Sequence, residues 1–180
     1  MLLLWVASAW GFAEATLFFI VPDVWLSYLA LKNLRRALIA CVWTLLGALL
    51  GGALLYTWAR YHEANAVEWV GEVPGVGSAM LRESEAMLRE QGVWALFPGM
   101  VRGMPYKTFV VAAPRTGIDL LALLAVTVPA RLLRFALVSV VTHWIANRPL
   151  VKWSDRARIL TLASFWVAFY AVYFSLHYQK

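Results

Sequence analysis

Four charged residues interrupt long apolar stretches of this sequence. Glu14 and Asp23 lie in a stretch near the N-terminus, and Arg102 and Lys107 lie in another near the middle. In a bilayer a charge costs about 2.5–3.5 kcal/mol on insertion scales, so such residues face a partner or a wet cavity. A carboxyl group there could exchange a proton, and two cationic side chains could bind a phosphate headgroup. The four residues predict a polar cavity, with a structural ion-pair cluster as the alternative.

The composition indicates a membrane protein. Of the 180 residues, 62% are hydrophobic and 14% are charged, and the mean hydropathy is +0.68. A soluble domain is about 45–50% apolar and roughly 25% charged, and a small one has too little interior to bury this excess. Disorder is excluded because it requires low hydrophobicity. The sequence therefore predicts a single membrane domain over residues 1–180.

Motifs for enzymatic chemistry are missing from the sequence. The single Cys41 excludes an intrachain disulfide and a cysteine-rich metal site. No metal-ligand spacing, P-loop or dinucleotide fingerprint is found, so we expect neither an enzyme nor a bound cofactor or metal. The net charge of +6 suggests contact with anionic lipid headgroups and not with nucleic acid.

Apolar and charged stretches divide the chain into four parts. Residues 1–59 and 93–145 each contain a broken apolar segment followed by an apolar run of spanning length. Residues 159–178 predict a last spanning helix, rich in aromatic residues. Between the two broken parts, residues 60–92 are charged. Residues 71–77 predict a turn, and after it Met80, Leu81, Met87 and Leu88 recur at helical spacing. They predict an amphipathic helix in the membrane interface, with a solvated helical hairpin as the alternative.

The two breaks resemble each other. Pro22 and Pro105 each begin a turn that leads into eight mostly apolar residues, and Lys32 or Arg115 follows at the same offset. Interrupted apolar segments at matching places in two halves are the pattern of an inverted repeat. The predicted fold is an all-α integral membrane protein. It has two re-entrant helical hairpins in inverted repeat, packed among about three spanning helices, plus the interfacial amphipathic helix.

The distribution of basic residues predicts the orientation. Loops 32–36 and 146–158 share one side and together hold seven basic residues. The other side has five basic residues and most of the acids. The positive-inside rule therefore places both loops in the cytoplasm.

Two further arginines lie in the middle of the predicted spanning run 118–145. Arg131 and Arg134 are one helical turn apart, so they share a face of the helix. They could guide an anionic headgroup into the cavity, or they could snorkel or pair with Glu14 or Asp23.

In the preceding run, Gly47-x-x-x-Gly51 allows close helix approach, which we expect within the chain.

Two motifs resemble those of a known family. The stretch Glu14-Ala-Thr-Leu-Phe-Phe-Ile-Val-Pro-Asp23 resembles the first motif of the DedA family, also called the VTT or SNARE-associated Golgi protein family. The stretch Arg102-Gly-Met-Pro-Tyr-Lys-Thr-Phe-Val-Val-Ala-Ala113 resembles its second motif, in the form found in the YqaA-type branch. Leu46-Gly-Ala-Leu-Leu-Gly-Gly resembles the glycine-rich helix between them. The chain departs from the pattern at Pro114, where glycine is usual, and at Thr108, where a second arginine is usual.

The resemblance implies a lipid transporter of the bacterial inner membrane. Bacterial relatives are linked to moving undecaprenyl phosphate or phospholipid between leaflets, often with dependence on the proton motive force, and eukaryotic relatives are scramblases. By this analogy Glu14 and Asp23 form the acidic pair, and Arg102 and Lys107 the basic pair. The expected partners are anionic lipids and, if transport is coupled, protons, while homo-oligomerisation stays open. A proton-coupled small-ion transporter and a non-transporting scaffold are the alternatives.

Overall fold

A computed structural model describes residues 2–177, and within this range the regular elements are all helical. Besides short 3-10 turns there are nine α-helices in the described part. Their bounds are α1 Leu2–Thr16, α2 Asp23–Lys32, α3 Leu34–Tyr61, α4 Glu63–Glu72, α5 Ser78–Gln91, α6 Leu96–Val101, α7 Tyr106–Ala112, α8 Leu120–Asn147 and α9 Asp155–His177. Residue 178 of the predicted last span lies outside the described residues.

Three helices are long and apolar enough to cross a bilayer, in agreement with the predicted number. They are α3, α8 and residues 155–175 of α9. The two longest begin at side-chain caps, since Asn33 accepts a hydrogen bond from the Arg36 amide and Asp119 accepts one from the Ala122 amide. Each has 28 residues and is therefore about 42 Å long, which exceeds a hydrocarbon core of about 30 Å.

Helices α1 and α2 form the first hairpin, with its turn at residues 17–22. Leu4 near the start of α1 and Leu29 near the end of α2 line one cleft, so the two helices run in opposite directions. Pro22 immediately precedes α2, a position where its missing amide hydrogen costs no helical hydrogen bond. With 15 residues, α1 is about 22 Å long, which is shorter than a hydrocarbon core of about 30 Å.

Glycines let α1 pack directly against α3. A Cβ atom on Gly47 would lie 1.9 Å from the Ser8 carbonyl oxygen, and one on Gly51 would lie 2.8 Å from that of Phe12. From the other side, a Cβ atom on Gly11 would lie 2.1 Å from the Thr44 carbonyl oxygen. The glycine motif therefore serves helix packing within the chain, as predicted.

Helices α6 and α7 form the second hairpin, with its turn at residues 102–105. Gly103 in this turn has a φ of +76°, in the left-handed region that favours glycine. The aromatic ring of Phe109 on α7 occupies the space beside Gly99 on α6, where a Cβ would meet the ring at 2.2 Å. This contact holds the two short helices together.

Helices α3 and α8 pack side by side in opposite directions. The early residue Cys41 on α3 lies 3.5 Å from Ser139, late on α8, between the sulfur and hydroxyl oxygen. Near the other end of α3, the Tyr56 hydroxyl donates a hydrogen bond of 2.8 Å to the Ile118 carbonyl, just before α8. Each hairpin is thus followed by a long helix, and these two helices are antiparallel.

The region over residues 60–92 contains two helices, α4 and α5, on either side of the predicted turn. The turn between α4 and α5 contains Gly75, whose φ is +85°. Helix α5 buries Met87 and Leu88 within the same apolar cluster as residues of the second hairpin. The predicted amphipathic helix therefore corresponds to α5 alone.

Candidate functional site

Five charged side chains gather where the two hairpin turns approach α8. Glu14 is near the end of α1, Asp23 begins α2, and Lys107 is in the first turn of α7. Arg131 and Arg134 come from the middle of α8. Four of the five are buried, and Arg134 is partly exposed. The breaks in the two apolar segments thus bring charges from distant parts of the chain into one cluster.

Glu14 and Arg131 form a buried ion pair. A guanidinium Nη2 group of Arg131 donates a hydrogen bond to Glu14 Oε2, and the side chains are only 4% and 6% exposed. The guanidinium carbon also lies 4.6 Å from the centre of the Tyr106 ring, at the distance of a cation–π contact. Arg131 is therefore held from two sides, by a carboxylate and by an aromatic face.

Asp23 and Arg134 form a second, more open ion pair. Arg134 Nη2 donates to Asp23 Oδ2. The Arg134 side chain is 28% exposed, whereas Asp23 is 1% exposed. The other carboxylate oxygen, Asp23 Oδ1, is buried and has no hydrogen-bond partner among residues 2–177. Since Asp23 lies in the first turn of α2, the helix dipole also favours its negative charge.

Lys107 joins the two hairpin turns. Its ammonium donates a hydrogen bond of 2.9 Å to the Phe18 carbonyl in the first turn, and the residue is 0% exposed. An ammonium has three donors, and no carboxylate of the described residues lies within 4.0 Å of it. A buried cation without a paired anion is costly, so Lys107 is suited to binding an anion.

A cavity of about 280 Å³ lies at this cluster, and we call it the polar cavity. Its walls include Glu14, Asp23, Lys107 and Arg134. Apolar side chains of both hairpin turns, α8 and α9 complete the lining. Arg131 is not part of the lining, because it lies behind Glu14 and against Tyr106. The cavity therefore presents two acids, one ammonium and one guanidinium.

Arg102 lies apart from this cluster, which corrects the predicted pairing. Its side chain is 60% exposed and approaches Glu83 on α5 at 3.3 Å. The chain reverses at Gly103 directly after it, and this turn separates Arg102 from Lys107. The acids were expected to face Arg102 and Lys107, but they pair with Arg131 and Arg134, which was the alternative given for these two arginines. Pro105 lines the polar cavity and Pro22 immediately precedes Asp23, so both predicted turn prolines are at the site.

Helix α9 closes one side of the cavity with aromatic residues. The Tyr170 hydroxyl accepts a hydrogen bond of 2.9 Å from the Val21 amide. The Trp166 indole donates one of 3.0 Å to the Ser27 hydroxyl. The Phe19 ring in the first turn lies 4.5 Å from that of Tyr173, between centroids. The sequence indicates only that α9 is an aromatic spanning helix, so these roles were missed.

No group of three or more histidine, cysteine, aspartate or glutamate side chains within the described residues could hold a metal ion. Comparisons with protein-family models, with curated proteins and with solved structures gave no match. The DedA resemblance therefore depends on the two motifs and the glycine-rich stretch between them.

Proposed function

We propose that this protein is a membrane lipid translocase of the DedA type. It moves an anionic phospholipid or a polyprenyl phosphate between the leaflets of the bacterial inner membrane. The observation that carries the proposal is Lys107, a fully buried ammonium without a paired carboxylate, in the wall of a cavity. A phosphate monoester or diester supplies the anion that this ammonium lacks.

In this proposal both hairpins are re-entrant and form an inverted repeat. Support comes from α1, which is shorter than a hydrocarbon core, and from α6 and α7, which have 6 and 7 residues. The antiparallel arrangement of α3 and α8 after the two hairpins is what an inverted repeat requires. Loops 32–36 and 146–158 are then cytoplasmic, as the positive-inside rule predicts.

Transport proceeds in the proposal by passage of the headgroup alone. The phosphate enters the polar cavity and binds Lys107, while the hydrocarbon chains stay among the apolar helices. Arg134 is the second ligand, because its partly exposed guanidinium is the more accessible of the two arginines. Protonation of Asp23 would release Arg134 from its pair, and this gives a route for coupling transport to a proton gradient.

Lipid flip-flop in proteoliposomes tests the proposal. Purified protein is reconstituted with a fluorescent anionic phospholipid, and the fraction accessible to an external quencher is followed in time. We expect Lys107→Gln to abolish most of the flip-flop, because the neutral amide cannot replace the ammonium. The matched control is Lys152→Gln, which makes the same change at an exposed loop position and should leave transport near that of the unmodified protein.

Other outcomes would favour the alternatives. Equal flip-flop in Lys107→Gln and Lys152→Gln would contradict a headgroup site at Lys107. Ion flux without lipid flip-flop, in well-folded protein, would favour the proton-coupled small-ion transporter. Absence of both activities, with Lys107→Gln affecting only stability, would favour the scaffold.

A further inference from the structure

A second and larger cavity lies between α2, α8 and α9, and we call it the apolar groove. Its volume is about 490 Å³, within the range of about 300–1,000 Å³ for ligand sites. It is lined mainly by aliphatic and aromatic side chains, which include Leu137, Val138, Val141, Leu162, Phe165 and Trp166. A ligand that fits this groove must be a hydrocarbon.

The apolar groove adjoins the polar cavity. Val138, Phe165 and Trp166 line both. Trp166 is fixed at this junction because its indole N–H is bonded to the Ser27 hydroxyl. The polar cavity suits the charged headgroup of an amphiphile, and the adjacent apolar groove suits its hydrocarbon chain.

The dimensions of the apolar groove match one leaflet. It follows α8 from Leu137 to Ile145 and α9 from Arg158 to Trp166. Eight residue steps of an α-helix rise about 12 Å, close to half of a hydrocarbon core of about 30 Å. The groove therefore extends from the polar cavity towards the loop between α8 and α9.

Arg158, the charged residue in the lining at the far end of the groove, already has partners. Arg158 there donates hydrogen bonds to the carbonyls of Leu150 and Val151, at 3.1 and 2.8 Å. It also lies 3.8 Å from the Asp155 carboxylate. Within the described part of the chain, the Lys107 ammonium at the other end has one acceptor, the neutral Phe18 carbonyl. The anionic end of an amphiphile is thus better placed in the polar cavity than beside Arg158.

We infer that the apolar groove binds one hydrocarbon chain of an anionic amphiphile whose phosphate occupies the polar cavity. The inference rests on the proposed function for the headgroup and adds the position and direction of the chain. The first carbons of the chain pass Trp166, and the chain then runs between Val141 and Leu162 towards the loop between α8 and α9. Specificity for chain shape then depends mainly on α8 and α9, with α2 as the third wall of the groove.

Photolabelling tests the inference. The probe is hexadecyl phosphate with a diazirine at its terminal carbon, in phosphatidylcholine liposomes that contain the protein. Peptide mapping should locate the label in residues 141–150 and 158–162. Val141→Phe, which fills the groove, should lose most of this labelling. Val140→Phe is the matched control, since Val140 is 45% exposed, Val141 is 44% exposed, and Val140 does not line the groove.

Competitors separate the two parts of the ligand. Unlabelled hexadecyl phosphate should displace the probe, whereas inorganic phosphate and hexadecanol should each displace it much less. Equal displacement by hexadecanol would overturn the link between the groove and a bound phosphate. Displacement by inorganic phosphate alone would indicate a site for free phosphate and overturn the role of the chain.

Peptide mapping of the label in the unmodified protein tests the position of the hydrocarbon chain even if Val141→Phe fails to fold. Label concentrated at Val138 and Trp166 would place the chain in the opposite direction and overturn the inference. Label spread evenly over lipid-facing positions such as Leu133 and Val172 would also overturn it. Flip-flop is measured in the same liposomes. Groove labelling without flip-flop would refute the translocase alone, and flip-flop with diffuse labelling would refute the groove alone.

Discussion

Removing one partner of the Glu14–Arg131 pair should destabilise the protein strongly. In Glu14→Leu the guanidinium of Arg131 stays buried without an anion, and a guanidinium cannot lose its proton. Loss of one partner of a buried pair costs about 3–5 kcal/mol. Since both side chains are at most 6% exposed, solvent cannot compensate, and we expect a loss in this range.

Substitution of the other partner, Arg131→Met, should cost less free energy of unfolding. In Arg131→Met the buried group left behind is a carboxyl, which becomes neutral by taking up a proton. The double variant Glu14→Leu/Arg131→Met leaves no unpaired charge, and such apolar replacement is often neutral or stabilising by about 1–4 kcal/mol. We therefore expect the double variant to be more stable than Glu14→Leu.

Reversible unfolding in mixed detergent micelles, followed by circular dichroism, gives the free energies. Glu83→Leu is the matched control, because Glu83 is 51% exposed and pairs with Arg102 at the surface. Exposed pairs contribute about 0–1 kcal/mol. The reasoning is refuted if the effects of Glu14→Leu and Arg131→Met add in the double variant, since additivity would mean that the two side chains do not interact.

Two further substitutions test the packing around the site. Gly47→Ala should cost about 1–3 kcal/mol of unfolding free energy, because its Cβ would meet a carbonyl of α1 at 1.9 Å. Gly71→Ala, whose Cβ would have only a contact of 3.7 Å, should be neutral or stabilising, and equal losses would contradict the close packing. Tyr170→Phe should cost about 0.5–1.5 kcal/mol, because the Val21 amide loses its acceptor. Thermal unfolding compares it with Tyr61→Phe at an exposed position, and equal melting temperatures would refute this role.

Much of the helical plan could be predicted from the sequence. Apolar length alone predicts α3, α8 and α9, and the caps Asn33 and Asp119 set the beginnings of the first two. Proline with nearby charge indicates both breaks, because each disfavours the middle of a spanning helix. The same signal does not decide the matter alone, since α8 continues unbroken through Pro129 and Arg131. These signals are local, so no knowledge of tertiary packing is needed to read them.

The pairing of the charges could not be predicted in the same way. Depth in an apolar run indicates that Glu14 and Asp23 need partners and makes Arg131 and Arg134 candidates, but it does not choose between them and Arg102 or Lys107. Glu14 and Asp23 contact Arg131 and Arg134 because α8 packs against α2 and α3. The chain turns at Gly103, which has a left-handed backbone conformation, and Arg102 lies outside the cluster. A hydropathy profile does not show such a turn.

The span of the two ion pairs along the chain determines when they can form. Glu14 and Arg131 are 117 positions apart, and Asp23 and Arg134 are 111 apart. Ribosomes add about 5–20 residues per second, so the acids are made roughly 5 to 25 seconds before their partners. During this interval the first hairpin lacks the arginines of α8 as counterions. The hairpin therefore reaches its final burial only after α8 has been synthesised and inserted, and biogenesis is completed from the second half of the chain.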